Sequence, residues 1–113
     1  MINDLFDSAV RSEGDFAGVF ECDQGNAFFY LLRIDKNGNK AVCDTIHVFN
    51  DGEDVEQNDI AVSWDATEKM VGLFIDGVLW AVFNVAENRK SGGNYRRGRV
   101  ATVGAGDSFH LLS

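Results

Sequence analysis

The sequence predicts a mostly β domain of antiparallel strands, and three observations carry this prediction. Short apolar or alternating runs follow one another, and turn signals such as Gln24-Gly25-Asn26, Asn37-Gly38 and Asp76-Gly77 separate them. The chain contains no proline, so no ladder hydrogen bond is lost to that residue. Its 113 residues and 45% hydrophobic content suit one folded domain with its own core. We therefore expect a six- to seven-stranded antiparallel meander that forms a sandwich or a partly open barrel.

Residues 1–15 are predicted to form a short helix and a linker. Asn3 is a suitable helix N-cap, and Leu5, Phe6 and Val10 share one apolar stripe at helical spacing. If this helix covers one face of the sheet, the domain is α+β, which is the alternative fold class. The antiparallel core is expected over residues 16–103, and residues 104–113 are expected to be a tail of the same domain.

The core contains segments with the pattern of strands at residues 17–23, 27–35, 40–49, 60–64, 69–76 and 78–84, and residues 99–103 are a further candidate. Segments 27–35 and 78–84 are apolar at both odd and even positions, which predicts that both of their faces are covered. In segment 40–49, one face should hold Val42, Ile46 and Val48. The residues expected on the opposite face are Cys43, Thr45, His47 and Phe49.

The formal net charge of −8 is unevenly distributed along the chain. Residues 1–59 hold 13 acidic and 4 basic side chains, a net charge of −9, whereas residues 60–113 hold 5 acidic and 6 basic ones, a net charge of +1. The acidic half repels nucleic acid and anionic membranes, so we expect neither as a partner. It attracts a basic protein surface and speeds encounter with it.

The leading hypothesis is a non-enzymatic protein-binding module, such as an inhibitor or immunity-type protein, that covers a basic surface with the acidic loop 50–59. The predicted partner-binding residues are Asp51, Glu53, Asp54, Glu56 and Asp59. A homodimer formed through a sheet edge is a second arrangement. The tryptophans and phenylalanines are expected in the core, and an exposed Phe49 or Trp80 would instead indicate an interface.

A basic, glycine-containing loop at residues 89–99 supports a different class of function, a small-molecule or nucleotide sensor. The candidate anion- or ligand-binding residues are Arg89, Lys90, Tyr95, Arg96, Arg97 and Arg99. Arginine side chains and glycine-exposed amides hold phosphates or carboxylates, and a tyrosine ring offers a stacking surface for a base. The alternative interpretation is a solvated loop that pairs with the chain's own acidic loop.

No set of residues predicts catalysis, a metal site or a cofactor. Asp44 and His47 are three positions apart, so on a strand their side chains point to opposite faces. Residues 35–39 begin like a calcium-binding loop. However, Lys40 stands where the turning glycine belongs, and Ile46 stands where the bidentate glutamate belongs.

The chain is expected to be cytoplasmic. Its first residues lack the basic start and apolar stretch of a signal peptide, and no apolar run approaches the ~20 residues that a membrane span needs. Cys22 and Cys43 both lie in strand-like runs outside any C-x-x-C pair, which favours reduced thiols, with a disulfide between them as the alternative.

Several motifs resemble a small bacterial protein family. They are IHVFN at residues 46–50, VSWD at 62–65, GLFIDG at 72–77 and AVFN at 81–84. The resemblance covers about residues 16–96 and is to a domain of unknown function, so it implies a bacterial, cytoplasmic single domain and no activity. The chain departs from the family where Arg96-Arg97-Gly98-Arg99 follows Tyr95, since a shorter ending is expected there.

Overall fold

The structure, a computed structural model, describes residues 4–50 and 55–96. These residues form two four-stranded antiparallel sheets, each a simple meander, which pack face to face and do not close into a barrel. The first sheet contains β1 (Leu5–Val10), β2 (Phe16–Asp23), β3 (Asn26–Ile34) and β4 (Lys40–Phe49). The second sheet contains β5 (Ile60–Trp64), β6 (Met70–Ile75), β7 (Val78–Asn84) and β8 (Arg89–Gly92), and a short 3-10 turn (Gln57–Asp59) precedes it.

The predicted N-terminal helix is wrong, because residues 5–10 form β1. This strand pairs with β2 in a register that places Leu5 opposite Cys22 and Val10 opposite Ala17. Leu5 is buried while Phe6 is exposed, so the burial alternates with the period of a strand. The capping and stripe pattern that suggested a helix is a local preference, and pairing with β2 outweighs it. Within the described ranges, no helix is long and apolar enough to cross a membrane.

The predicted number of strands is also wrong, since the described residues contain eight. The two additional strands are β1 and β8, and β8 lies inside the segment expected to be a basic loop. Its sequence, RKSG, has no apolar alternation, but it pairs with β7 from Ala81 opposite Gly92 to Asn84 opposite Arg89. The candidate strand at residues 99–103 lies outside the described residues.

Two hairpins form where the turn residues predict them. The pairs Gln24-Gly25 and Asp76-Gly77 each connect adjacent strands, with φ of 51° and 84° in the first pair and 53° and 78° in the second. Positive φ at both central residues is the geometry that matches the right-handed twist of the flanking strands. Glycine adopts it without steric penalty, which explains why these short sequences determine the register beside each turn. Further along the β6–β7 hairpin the register shifts once, between Leu73 and Phe74.

The two segments that are apolar at both odd and even positions form β3 and β7, and these strands differ in how many of their side chains are buried. In β7 the side chains from Leu79 to Phe83 are all buried, so the prediction that both of its faces are covered is confirmed. In β3 only Ala27, Phe29 and Leu31 are buried, and Phe28 is 40% exposed, so the same prediction is wrong there. The first sheet therefore presents apolar side chains on the face directed away from the core.

Register shifts explain why β4 departs from the predicted alternation. Pairing with β3 is irregular between Ala27 and Phe28 and again between Leu31 and Leu32. Ile46 and Val48 are buried as expected, but Val42 is 59% exposed and Phe49 is 4% exposed, so both residues lie on the opposite face to the predicted one. Each shift inserts one residue into the strand and reverses the side-chain direction beyond it.

The core lies between the sheets and draws on both of them. Its largest fully buried side chains are Trp64, Phe20, Phe29 and Phe83. Trp80 is also buried, as is Phe49, so neither marks an exposed interface. The prediction that the tryptophans and phenylalanines lie in the core is confirmed for these residues, but it is wrong for Phe6 and Phe28, which are exposed. Cys22 is a buried free thiol and Cys43 an exposed one, so they do not form a disulfide.

Hydrogen bonds join the sheets along both sides of the sandwich. On one side, the Gln57 side chain accepts from the Phe6 amide at 3.1 Å and donates to the Phe6 carbonyl at 2.7 Å, as a paired strand does. Trp64 Nε1 donates to the Ala9 carbonyl at 2.9 Å on the same side. On the other side, the Tyr95 amide donates to the Val48 carbonyl at 2.6 Å. These bonds occupy backbone groups at both edges of the first sheet.

Replacing Asp65 by alanine is expected to destabilise the protein by about 2 kcal/mol, because its buried carboxylate organises the β5–β6 turn. Asp65 Oδ1 accepts from the amides of Lys69 and Met70 at 3.0 and 3.2 Å, and Oδ2 accepts from the Thr67 hydroxyl at 2.8 Å. Urea denaturation measures the change. Asp65→Asn retains one acceptor oxygen and should lose less, so an asparagine variant as unstable as the alanine variant would contradict this account.

Candidate functional site

One end of the sandwich is rich in carboxylates, and we call it the acidic end. It contains the β2–β3 turn, which is hydrogen-bonded to the start of the chain's first strand, and the β6–β7 turn, which is hydrogen-bonded to the 3-10 turn. The Gln24 amide donates to Asp4 Oδ1 at 3.5 Å, and the Asp76 amide donates to the Asp59 carbonyl at 2.8 Å. The acidic side chains described at this end are those of Asp4, Asp23, Glu56, Asp59 and Asp76.

The predicted acidic loop contributes two described residues to this end. Glu56 is exposed, and Asp59 is partly buried, with its Oδ2 accepting from the Glu56 amide at 2.8 Å. Asp59 therefore stabilises the 3-10 turn as well as adding charge. Asp51, Glu53 and Asp54 lie outside the described residues. The chain enters and leaves that segment at Asn50 and Val55, where β4 has ended and the 3-10 turn is about to begin.

The predicted basic set is dispersed rather than gathered in one loop. Arg89 and Lys90 lie in β8, and Arg96 is exposed beyond it. Tyr95 is only 5% exposed, with its ring centroid 4.7 Å from that of Trp80, so in this conformation it is unavailable for stacking on a base. Arg97 and Arg99 lie outside the described residues.

The ion pairs of β8 do not involve the acidic loop. Lys90 Nζ lies 2.6 Å from Asp44 Oδ1 and also donates to the Thr45 carbonyl at 3.0 Å, so it links the second sheet to the first. Arg89 lies 3.4 Å from Glu87, and both side chains are largely exposed. The hydrogen bond from Lys90 lowers the pKa of the Asp44 carboxyl below its ordinary value. Among the described residues, the idea that these cations neutralise residues 50–59 has no support.

An apolar surface on the first sheet was not recognised from the sequence. It comprises the side chains of Phe6, Val10, Phe28, Tyr30, Leu32 and Val42, and we call it the outer face. Cross-strand pairing aligns Val10, Ala17, Leu32 and Val42 in one continuous row over the four strands. A second row, nearer the acidic end, contains Phe6, Glu21, Phe28 and His47.

The exposure of this outer face is high for such side chains. Phe6 is 53% exposed, Val10 57%, Phe28 40% and Val42 59%. The Phe28 and His47 rings lie 5.2 Å apart, and the Tyr30 hydroxyl donates to the Glu21 carboxylate. Burial, together with that hydrogen bond, raises the pKa of Tyr30 to about 12. The sequence did contain a sign of this surface, since β3 is apolar at both parities and only one parity reaches the core.

Within residues 4–50 and 55–96, no group of three or more His, Cys, Asp or Glu side chains could hold a metal ion. Comparison with known families matches residues 3–97 to a family described as an uncharacterized protein conserved in bacteria, DUF2251. No curated protein and no solved structure matches the chain.

Proposed function

Since this chain belongs to the DUF2251 family of bacterial proteins, we propose that it is a non-enzymatic protein-binding module of the bacterial cytoplasm. The observation that carries the proposal is the outer face. Of the five exposed large hydrophobic side chains among the described residues, four lie on this one surface. Apolar side chains gathered on one sheet face and bordered by polar residues are typical of a site that another protein covers. The free thiols are in keeping with a reducing compartment.

The charges beside the outer face indicate the chemistry of the partner. The row that contains Phe6 and Phe28 also contains Glu21, and it borders the acidic end at Asp4 and Asp23. A partner surface with an apolar centre and a basic border complements this arrangement, and the net charge of −8 speeds its approach. Asp51, Glu53, Asp54, Glu56 and Asp59 remain the proposed acidic contacts with this partner.

A homodimer through a sheet edge has less support. Gln57 occupies backbone groups of Phe6 on β1, and the Tyr95 amide occupies the Val48 carbonyl on β4, so neither edge of the first sheet is fully open. Two copies that each carry a net charge of −8 also repel each other. A basic partner of a different sequence is therefore the better candidate.

A ligand site built from residues 89–99 also has less support. Such a site needs Tyr95 as an open stacking surface and a cluster of unpaired cations. Tyr95 is buried, and Lys90 is engaged by Asp44 and Thr45. Arg89 and Arg96 do not replace that cluster, because Arg89 is the first residue of β8 and Arg96 lies beyond the end of this strand.

Replacing Phe6 and Phe28 together by serine is expected to weaken partner binding at least tenfold, because central apolar contacts of an interface are commonly worth about 2 kcal/mol or more. The measurement is quantitative recovery of partner proteins by the tagged full chain from lysate of the source bacterium. Val78→Ser is the matched control, since Val78 is 46% exposed but belongs to the second sheet. Thermal unfolding verifies that all variants are folded.

Glu56→Gln should weaken the same complex, and more strongly at low salt, if the partner surface is basic. Equal recovery of the partner by the wild type and the Phe6/Phe28 variant would show that the outer face is not the interface. Sedimentation of the purified protein tests the remaining arrangement. A dimer that the Phe6/Phe28 variant abolishes would identify the partner as a second copy and would overturn the basic partner.

A further inference from the structure

A cleft of about 190 Å³ lies between the sheets at the end opposite the acidic end. Phe16 and Leu31 of the first sheet and Phe83 of the second form its apolar walls. Leu31 and Phe83 are buried, so the cleft opens directly onto the hydrophobic core. Arg33 and Arg89 also line it, one from each sheet.

Arg33 occupies a position where the strand pattern calls for an apolar residue. It has the same parity as Ala27, Phe29 and Leu31, which are all buried against the second sheet. Its side chain is exposed and forms no hydrogen bond or ion pair with any residue in the described part of the chain. The carboxylate of Asp35 interacts with it electrostatically, but that carboxylate is exposed to solvent and accepts hydrogen bonds from backbone amides of its own turn. A guanidinium group placed at the mouth of an apolar space, without a hydrogen-bonded partner among the described residues, is available to an anion from solution.

The charged side chains that line the cleft are two arginines and one aspartate, in a protein that is otherwise acidic. Asp44 also lines the cleft, but Lys90 neutralises it through the 2.6 Å ion pair. Glu87 lies 3.4 Å from Arg89, and the exposure of both side chains makes this pair weak. Asp35, which interacts electrostatically with Arg33, is also exposed. The two arginines are therefore opposed by one carboxylate that is already engaged and by two that solvent screens.

The irregular pairing of β4 adds a thiol to the same place. Leu31 pairs with Asp44 and Leu32 pairs with Val42, so Cys43 is the extra residue between them. Both Cys43 and Asp44 consequently line the cleft, which a regular strand would not allow. The exposed Cys43 provides a chemical reporter of occupancy, because Cys22 is buried elsewhere in the core.

We propose that this cleft binds a small organic carboxylate whose aliphatic or aromatic group contacts Phe16, Leu31 and Phe83 and whose carboxylate pairs with Arg33 and Arg89. The apolar walls favour a ligand with a hydrocarbon part over inorganic phosphate, which buries no apolar surface. The volume is below the roughly 300–1,000 Å³ of sites for drug-sized ligands, so the molecule is small. This site is independent of the outer face and the acidic end.

Calorimetric titration of the full chain with hexanoate tests the proposal. Saturable binding is expected, with at least tenfold weaker affinity for hexylammonium, for hexanol and for inorganic phosphate. Arg33→Gln should weaken hexanoate binding at least tenfold. Lys40→Gln is the matched control, because it removes an exposed cation from the same sheet but outside the cleft lining, and its affinity should stay within twofold of the wild type.

Alkylation of Cys43 by iodoacetamide provides a second measurement of binding that does not depend on the heat of binding. Saturating hexanoate should slow modification of Cys43 in the wild type and leave it unchanged in Arg33→Gln. The proposal is overturned if hexanoate does not bind at millimolar concentration, or if the affinity of Arg33→Gln equals that of the wild type. It is also overturned if phosphate binds as tightly as hexanoate, which would indicate charge recognition without the apolar walls, or if Cys43 is not protected.

Discussion

Replacing Trp64 by alanine is expected to lower the free energy of unfolding by about 4 kcal/mol, because the substitution opens a cavity in the core. The Trp64 side chain is 1% exposed, and it has the largest volume of the fully buried side chains among the described residues. It also joins the two sheets, since Nε1 donates to the Ala9 carbonyl on β1 at 2.9 Å. On the surface side, the Arg11 guanidinium lies 5.7 Å from the ring centroid.

Urea denaturation followed by circular dichroism measures this loss from the midpoint and the slope. Trp64→Phe is the matched control, because it retains most of the buried ring and removes the hydrogen bond to Ala9. It should lose about 1–3 kcal/mol, as expected for a buried carbonyl left without its donor and a smaller cavity. If Trp64→Ala loses less than 1 kcal/mol, the ring does not support the core in the way that its burial indicates.

Local chemistry explains which parts of the fold could be predicted. The two-residue turns at Gln24-Gly25 and Asp76-Gly77 depend on positive φ and fix the register of their own hairpins. The preferences that suggested a helix around Asn3 are also local, but β1 forms because β2 offers it a paired edge. The local pattern around Asn3 contains no information about that edge. Similarly, β8 has no apolar alternation of its own, and it forms because its backbone pairs with that of β7.

The candidate sites were harder to predict for a related reason. Both parities of β3 are apolar, and the sequence does not tell which of them faces the other sheet, so the exposure of Phe28 could not be foreseen. Arg33 looks unremarkable along the chain and becomes notable only because its parity is that of the buried Leu31. The basic set predicted at residues 89–99 assumed a loop, whereas Arg89 and Lys90 are neighbours in a strand, and Tyr95, beyond that strand, is buried against Trp80.

Replacing Gly93 by alanine is expected to destabilise the protein by about 2–5 kcal/mol, because this position combines an unfavourable backbone conformation with a lack of space. Its φ is +105°, which side-chain-bearing residues adopt at a penalty of about 1–2 kcal/mol. A Cβ atom there would lie 2.7 Å from the His47 carbonyl oxygen and 2.8 Å from Ile46 Cγ2. Relieving these contacts requires β4 to move, and such overpacking typically adds about 1–3 kcal/mol.

The Gly93 substitution acts at the place where the chain leaves the second sheet and joins the first. The Gly93 amide donates to the Trp80 carbonyl at 2.8 Å, and the Tyr95 amide then donates to the Val48 carbonyl at 2.6 Å.

Gly38→Ala separates the backbone effect from the steric effect, since Gly38 has a φ of +82° but nothing within 4 Å of its added Cβ. Gly38→Ala should therefore lose only the backbone term, about 1–2 kcal/mol. Thermal unfolding compares the variants, and hydrogen exchange of the Tyr95 amide should accelerate only in Gly93→Ala. Equal stability of the two variants would mean that β4 yields freely, and that the contact between Gly93 and His47 does not hold the sheets together.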